Sequence, residues 1–238
     1  MIEIKGIKKN FGKLEVLKGF DFSLSDGNIT AVLGPNGSGK TTLIKSILGL
    51  VLPSSGEIFF DGKPIKKDWE YRRNIGYLPQ IARFPENLKV RELFSLIEDI
   101  RGEEGNSEEL VSMFKLESFL TKKLRQLSGG TRQKVNIVMT FMFDSPVYIL
   151  DEPTTGLDPI ALIRLKDFIL EKKKQGKTFL ITTHIMRLVE ELADELIFLL
   201  EGKVYFKGTH SEMMESQNED NLERAIAKIL EKEDAKDS

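Results

Sequence analysis

The chain contains no cysteine. Disulfides, thiolate metal sites and a cysteine nucleophile are therefore excluded, and a reducing compartment fits. No stretch approaches the ~18 consecutive apolar residues of a membrane-spanning helix. The opening MIEIKGIKKN has no apolar core of the kind a secretory signal carries. The expectation is a chain soluble by itself. An excess of one charge is missing too. Lys and Arg number 35 against 37 Asp and Glu, for a net charge of −2. No strong electrostatic pull toward nucleic acid is expected from that balance. There is no internal repeat. What remains is ample for a core: 238 residues, 40% of them apolar. That length is about the upper limit for one hydrophobic core, so a single domain with an attached lobe is expected.

The first part of the chain reads as strands. MIEIKGIKK alternates apolar and polar residues, as does LEVLKGFDFSL at Phe20, Phe22 and Leu24. NITAVLG is a short buried strand that ends at Gly34. A helix is expected from about Lys40 to Leu50, and GEIFFDGKPI reads as a hairpin turning at Asp61-Gly62. From about 84 to 143 helical periodicity dominates, with RGEEGNSEE as a polar loop. Trp69 is expected to be local packing. From Pro146 strands alternate with helices: VYILD, ALIRLKDFILEKKK, TFLITTH, then ELIFLLEGKVYFKG. That alternation argues for an α/β fold with parallel strands. THSE matches a capping box, Thr209 with Glu212. NLERAIAKILEK is a final helix, and EDAKDS an expected disordered tail.

The stretch LGPNGSGKTT puts three glycines and a lysine between two apolar segments. Gly34, Gly39, Lys40 and Thr41 match G-x-x-x-x-G-K-[ST], between a predicted strand and a predicted helix. Glycines let backbone N–H groups turn inward around phosphate oxygens, and the helix N-terminus adds partial positive charge. The candidate residues for binding a nucleotide's phosphates are Gly34, Asn36, Gly37, Ser38, Gly39, Lys40, Thr41 and Thr42. Lys40 would reach the β- and γ-phosphates and Thr41 would ligate Mg²⁺. Asp151 and Glu152 close the buried strand VYILD. Carboxylates at the carboxyl end of a parallel strand lie on the usual ligand side of such sheets. Asp151 would support Mg²⁺, and Glu152 would act on the attacking water as general base.

LSGGTRQKV, Leu127–Val135, resembles the signature of ATP-binding cassette (ABC) ATPases, which typically reads LSGGQ. Further features follow in the family's order: Gln80 in GYLPQ, DEP after the second buried strand, Asp158 in TTGLDP and His184 in ITTH. Phe11 lies where the family has an aromatic that stacks on adenine. The resemblance runs from about Ile2 to Gly208. It implies a P-loop NTPase of the ABC ATPase fold: a mixed sheet core, an N-terminal antiparallel β part and an inserted, mostly helical lobe at about 84–143. The domain would span 1–215, with a C-terminal helix and disordered tail at 216–238.

The resemblance also implies roles. Two subunits would close head to tail on two ATP molecules, with Ser128, Gly129 and Gly130 of one subunit meeting the γ-phosphate on the other. His184 would hold the γ-phosphate and orient water. Gln80 would ligate Mg²⁺ together with Thr41 and, through water, Asp151. Asp158 would link the two sites across the interface. The implied cofactors are ATP and Mg²⁺. The implied partners are a second cassette, identical or closely similar, and a transmembrane permease that holds the chain on the cytoplasmic face of the cell membrane. The sequence looks most like exporter-type subunits. The alternative is a soluble single-cassette ATPase such as an iron–sulfur assembly ATPase. Two positions depart from the family's habit: Thr131 replaces the signature glutamine, and Phe11 a commoner tyrosine.

Overall fold

The computed structural model describes residues 1–66 and 68–237. In chain order the elements are β1 (Ile2–Phe11), β2 (Leu14–Leu24), β3 (Ile29–Leu33), α1 (Lys40–Ile47), β4 (Ser55–Phe60), β5 (Lys63–Pro64) and β6 (Ile75–Leu78). There follow α2 (Val90–Arg101), α3 (Ser107–Met113), α4 (Gly129–Phe141), β7 (Val147–Asp151), α5 (Pro159–Lys174) and β8 (Thr178–Thr182). The last are α6 (Met186–Leu192), β9 (Glu195–Leu200), β10 (Lys203–Gly208), α7 (His210–Gln217) and α8 (Leu222–Asp237). The chain divides into two compact units, Met1–Trp69 with Leu180–Ser238, and Glu70–Phe179. Strand β8 crosses that boundary in sequence.

The first unit contains an antiparallel sheet in the order β2-β1-β4-β5. Its inner face carries Ile2, Ile4 and, past a register shift that breaks the alternation, Ile7 of β1, with the alternating Phe20, Phe22 and Leu24 of β2, all buried. The β4–β5 hairpin turns at Asp61 and Gly62, with φ of 49° and 74°. Two positive φ values in succession are what a two-residue hairpin of right-handed twist requires. A second group of strands has β9 parallel to β3 and antiparallel to β10. Every residue of β3 is buried, as expected for a strand covered on both faces. Leu33, Phe198, Met213, Leu222, Ile226 and Ile229 join one apolar cluster, which fastens α7 and α8 to these strands. The capping box is present: Thr209 N–H donates to Glu212 Oε2 at 2.7 Å, and Glu212 N–H to Thr209 Oγ1 at 3.1 Å.

In the second unit β6 and β7 are parallel, in register from Ile75↔Val147 to Leu78↔Leu150. Tyr148 anchors β7. Its ring lies 4.7 Å from Phe141 and 5.2 Å from Phe179 between centroids, and its hydroxyl donates to Phe143 O at 3.1 Å. Burial pushes that hydroxyl's pKa up to about 12.

Four local expectations need correction. α1 stops at Ile47, short of Leu50, because Gly49 takes a left-handed φ of 64° and breaks the helical run. The polar segment RGEEGNSEE is only partly a loop: α3 begins at Ser107, with Glu108 and Glu109 in its first turn, where negative charge is favoured. Trp69 is 61% exposed, so it is not packed. The tail expected to be disordered continues α8 through Asp237, with Ser238 outside the described residues. Once Leu222, Ala225, Ile226 and Ile229 are buried, each further helical residue gains a hydrogen bond without a new nucleus.

Candidate functional site

In the first unit the phosphate loop joins β3 to α1, as its spacing predicts. The loop is tightly cradled. A Cβ at Gly34 would stand 2.2 Å from the Leu199 carbonyl oxygen, and one at Gly39 would stand 2.8 Å from the Leu17 side chain. Gly39 also sits at φ 106°, which a side chain would oppose. Gly202 N–H donates to Ser38 O at 3.2 Å, tying the loop to the β9–β10 turn. Lys40 Nζ folds back onto Gly34 O at 2.6 Å and Pro35 O at 3.0 Å. The ammonium is thus held against the loop's own carbonyls.

Two features suit this loop to phosphate. Ser38 is 2% exposed, and its Oγ has no hydrogen-bond partner. A buried hydroxyl without a partner costs free energy that an incoming acceptor would recover. Helix α1 begins on Gly39 with no side-chain cap and no acidic residue in its first turn. Its N-terminal N–H groups therefore present their positive end without competition from a carboxylate. Asn36 and Gly37 form the exposed turn of the loop, and Thr41 and Thr42 stand in the first turn of α1.

Phe11 ends β1 and is 50% exposed, as a ring kept for a ligand would be. One face is already occupied: Lys9 Nζ lies 4.9 Å from the ring centroid while donating to Leu52 O at 2.8 Å. The sequence reading missed Lys9. His184 is exposed in the bend between β8 and α6.

The second unit carries the remaining candidates. Asp151 ends β7 and Glu152 follows it, at 4% and 6% exposure. Glu152 adopts φ 50°, the left-handed region that a glutamate avoids without support. Burial, and secondarily the charge of Asp151, pushes the Tyr77 hydroxyl to about 12. Gln80 is exposed, two residues past the end of β6. Ser128 caps α4, its Oγ accepting from Thr131 N–H at 3.3 Å. The Ser128 and Thr131 hydroxyls lie 2.9 Å apart, so the unusual threonine bonds the signature serine. Gly129 and Gly130 form the first turn of α4.

Asp158 caps α5, accepting from Ala161 N–H at 2.9 Å. It also pairs with Lys134 Nζ at 2.5 Å. The Lys134 hydrogen bond, then that of Ala161, holds the Asp158 carboxyl below the usual carboxylate range. Lys134 joins the signature helix to this turn, and the sequence reading missed it. An i,i+24 pairing across two elements leaves no local pattern to read.

A glycine-cradled loop feeding a helix, with buried carboxylates after a parallel strand, defines a nucleotide-triphosphate-binding α/β protein. Comparison with known proteins narrows the class. Residues 17–155 match the sequence profile of the ABC transporter family. The Nod factor export ATP-binding protein I of Burkholderia orbicola is 33% identical over 222 residues, 91% of this chain and 73% of that protein. The lantibiotic transport ATP-binding protein SrtF of Streptococcus pyogenes is 33% identical over 207 residues, 86% of this chain and 89% of that protein. Among solved structures, an ATP-binding subunit of an ABC transporter superposes with a TM-score of 0.91 at 31% identity, covering 97% of this chain and 99% of that one. A dimeric post-hydrolysis state of the cassette MJ0796, bound to ADP and Pi, gives 0.79 at 27% identity, covering 88% and 98%. The chain belongs to the ABC transporter family. It is an ATPase cassette with the fold of that family's ATP-binding subunits. Among the described residues no helix is long and apolar enough to cross a membrane.

Proposed function

We propose that this chain is the energy-coupling subunit of an export-type transporter, working as a pair of cassettes on the cytoplasmic face of the membrane beside a transmembrane permease. The observation that carries the reading is the phosphate loop: a partnerless buried Ser38 hydroxyl, an uncapped α1 N-terminus and the Lys40 ammonium in one glycine-lined cradle. The names of the relatives, one for Nod factor export and one for lantibiotic transport, support export over a soluble assembly role.

Lys40 would exchange its carbonyl partners, Gly34 O and Pro35 O, for the β- and γ-phosphate oxygens. Ser38, Gly39 and the first N–H groups of α1 would complete the phosphate contacts, and Phe11 would stack on adenine with its free face. Glu152, buried and held at an unusual φ, would take a proton from the attacking water. His184 would orient that water and the γ-phosphate. Thr41, Gln80 and Asp151 offer a hydroxyl, an amide and a carboxylate, oxygen donors suited to Mg²⁺. The ion, when bound, would neutralise charge on the phosphate oxygens. Ser128, Gly129 and Gly130 would close on the partner's γ-phosphate, and Asp158 would connect the two sites.

Mixing two dead variants tests the shared sites. Lys40→Ala and Ser128→Arg should each be inactive alone. Mixed dimers concentrate both lesions in one site and leave the other whole, so activity should return to about half of wild type. Mixed dimers that form and stay inactive would refute composite sites.

A further inference from the structure

Helix α4 starts at the signature turn and continues as KVNIVMTF, an apolar run broken by polar residues. Gln133, Asn136 and Thr140 stand at i, i+3 and i+7 and so share one face of the helix. They are 7%, 3% and 6% exposed. Amides buried this deeply are costly unless they are hydrogen-bonded, and each of these is. Asn136 Nδ2 donates to Pro79 O at 3.1 Å and to Gln133 Oε1 at 3.4 Å. Gln133 Nε2 donates to Pro153 O at 3.1 Å. Thr140 Oγ1 lies 3.2 Å from Tyr77 O and 2.9 Å from Asn136 O.

The two proline carbonyls give this chain of bonds its meaning. Pro79 immediately precedes Gln80, and Pro153 immediately follows Glu152. Both residues lie just past the ends of the parallel strands β6 and β7, where the ladder no longer supplies donors. The side-chain amides of α4 supply them instead. A continuous path therefore runs from the carbonyl before Gln80, through Asn136 and Gln133, to the carbonyl after Glu152. It is borne by the helix that Ser128 caps. Apolar residues on this face would leave the Pro79 and Pro153 carbonyls without these donors, so the amides tie both turns to α4.

We propose that Gln133 and Asn136 are positioning residues for ATP hydrolysis, fixing the Gln80 and Glu152 turns to the signature helix so that the three shift together. The inference rests on the roles proposed above for Gln80 and Glu152. Glu152 is held at φ 50°, a conformation that persists only where its surroundings enforce it. The bond from Gln133 to the next carbonyl is one such restraint. In a water-poor interior a fully satisfied amide chain is stiff, and loss of one link leaves carbonyls unpaired and the turns free to relax. Gln80 and Glu152 would then sit off their working geometry while the phosphate loop is untouched.

Asn136→Ala, Gln133→Met and the double variant test this in the full chain, with Thr140→Val as a control on the same helix face. Misplacement by about 1 Å is enough to cost 100-fold in rate, so each single variant should lose roughly 10- to 100-fold in kcat. ATP affinity measured without Mg²⁺ should stay within about twofold, and the Mg²⁺ concentration for half-maximal rate should rise. The double variant should be no worse than the poorer single variant, as for links of one chain. Thr140→Val should keep kcat within about threefold, because its partners, the backbone carbonyls of Tyr77 and Asn136, adjoin neither Gln80 nor Glu152 and the Asn136 side-chain amide is left in place. Gln133→Met keeps the side-chain volume and carries the test if Asn136→Ala does not fold. Folded Asn136→Ala or Gln133→Met with wild-type kcat would overturn the proposal. So would a loss in Thr140→Val equal to theirs, which would mark a packing effect. Glu152→Gln, assayed alongside, separates the two claims. If it hydrolyses normally, the base assignment falls and takes this inference with it. If it is inactive while Asn136→Ala is normal, only the inference falls.

Discussion

Two adjacent glycines at the start of α4 should respond in opposite ways to the same substitution. Gly129 and Gly130 both have helical backbone, so alanine at either would gain from helix propensity and from a less flexible unfolded chain. In the first turn that gain is about 0.5 kcal/mol. At Gly129 an added Cβ meets nothing within 4 Å, so Gly129→Ala should keep the gain. At Gly130 the same atom would stand 2.6 Å from the carbonyl oxygen of Gly156, in the turn that precedes Asp158. That oxygen is backbone and cannot swing aside. The helix start or the turn must move, at an overpacking cost of about 1–3 kcal/mol. The net loss for Gly130→Ala is then about 0.5–2.5 kcal/mol. For a chain of this length each kcal/mol moves Tm by about 2–4 °C. Thermal unfolding without nucleotide should show Gly129→Ala about 1–2 °C above wild type and Gly130→Ala about 1–10 °C below it. Equal shifts in the two variants, or a Gly130→Ala that melts at or above wild type, would refute the close approach of α4 to the Gly156 turn.

Two further predictions concern the proposed activity. Glu152→Gln should bind ATP but hydrolyse it at least about 100-fold more slowly, since the amide keeps the shape and loses the base. It should elute as an ATP-dependent dimer in size-exclusion chromatography; a variant that stays monomeric where wild type dimerises counts against the sandwich. Phe84→Asp should lose co-purification with the proposed permease while keeping basal hydrolysis, because Ile81 is 72% exposed and Phe84, four residues past Gln80, is half-buried. Apolar residues shown to solvent among charges mark interaction surfaces. Full co-purification and transport by this variant would show that Phe84 takes no part in docking the permease, and loss of circular dichroism would assign Phe84 to the core instead.

Most of what is local was legible in the sequence. The strand–loop–helix of the phosphate site, the Asp61-Gly62 turn and the Thr209–Glu212 cap are set by residues within one or two turns of each other. Their chemistry, positive φ at glycine and short side chains that bond nearby N–H groups, acts over that range. The ABC family resemblance came from the same kind of signal, short motifs in a fixed order. Element ends were less legible where a single residue competes with the run, as Gly49 does at the end of α1. Trp69 gave no periodic signal of its own, and its exposure depends on what lies around it.

Only the tertiary structure decided which side chains share a partner. Lys9 over Phe11 is the exception, because a β-strand places residues two apart on one side. Lys134 with Asp158, and Gln133 and Asn136 with the carbonyls after β6 and β7, join residues 20 to 57 positions apart in the chain. No spacing rule predicts such contacts. They exist because α4 is laid against the ends of two strands, and a buried amide must find whatever carbonyl the packing brings within reach. The sequence by itself determined that a phosphate loop forms and what it would hold. The tertiary structure alone decided how the signature helix is fastened to the turns around Gln80 and Glu152.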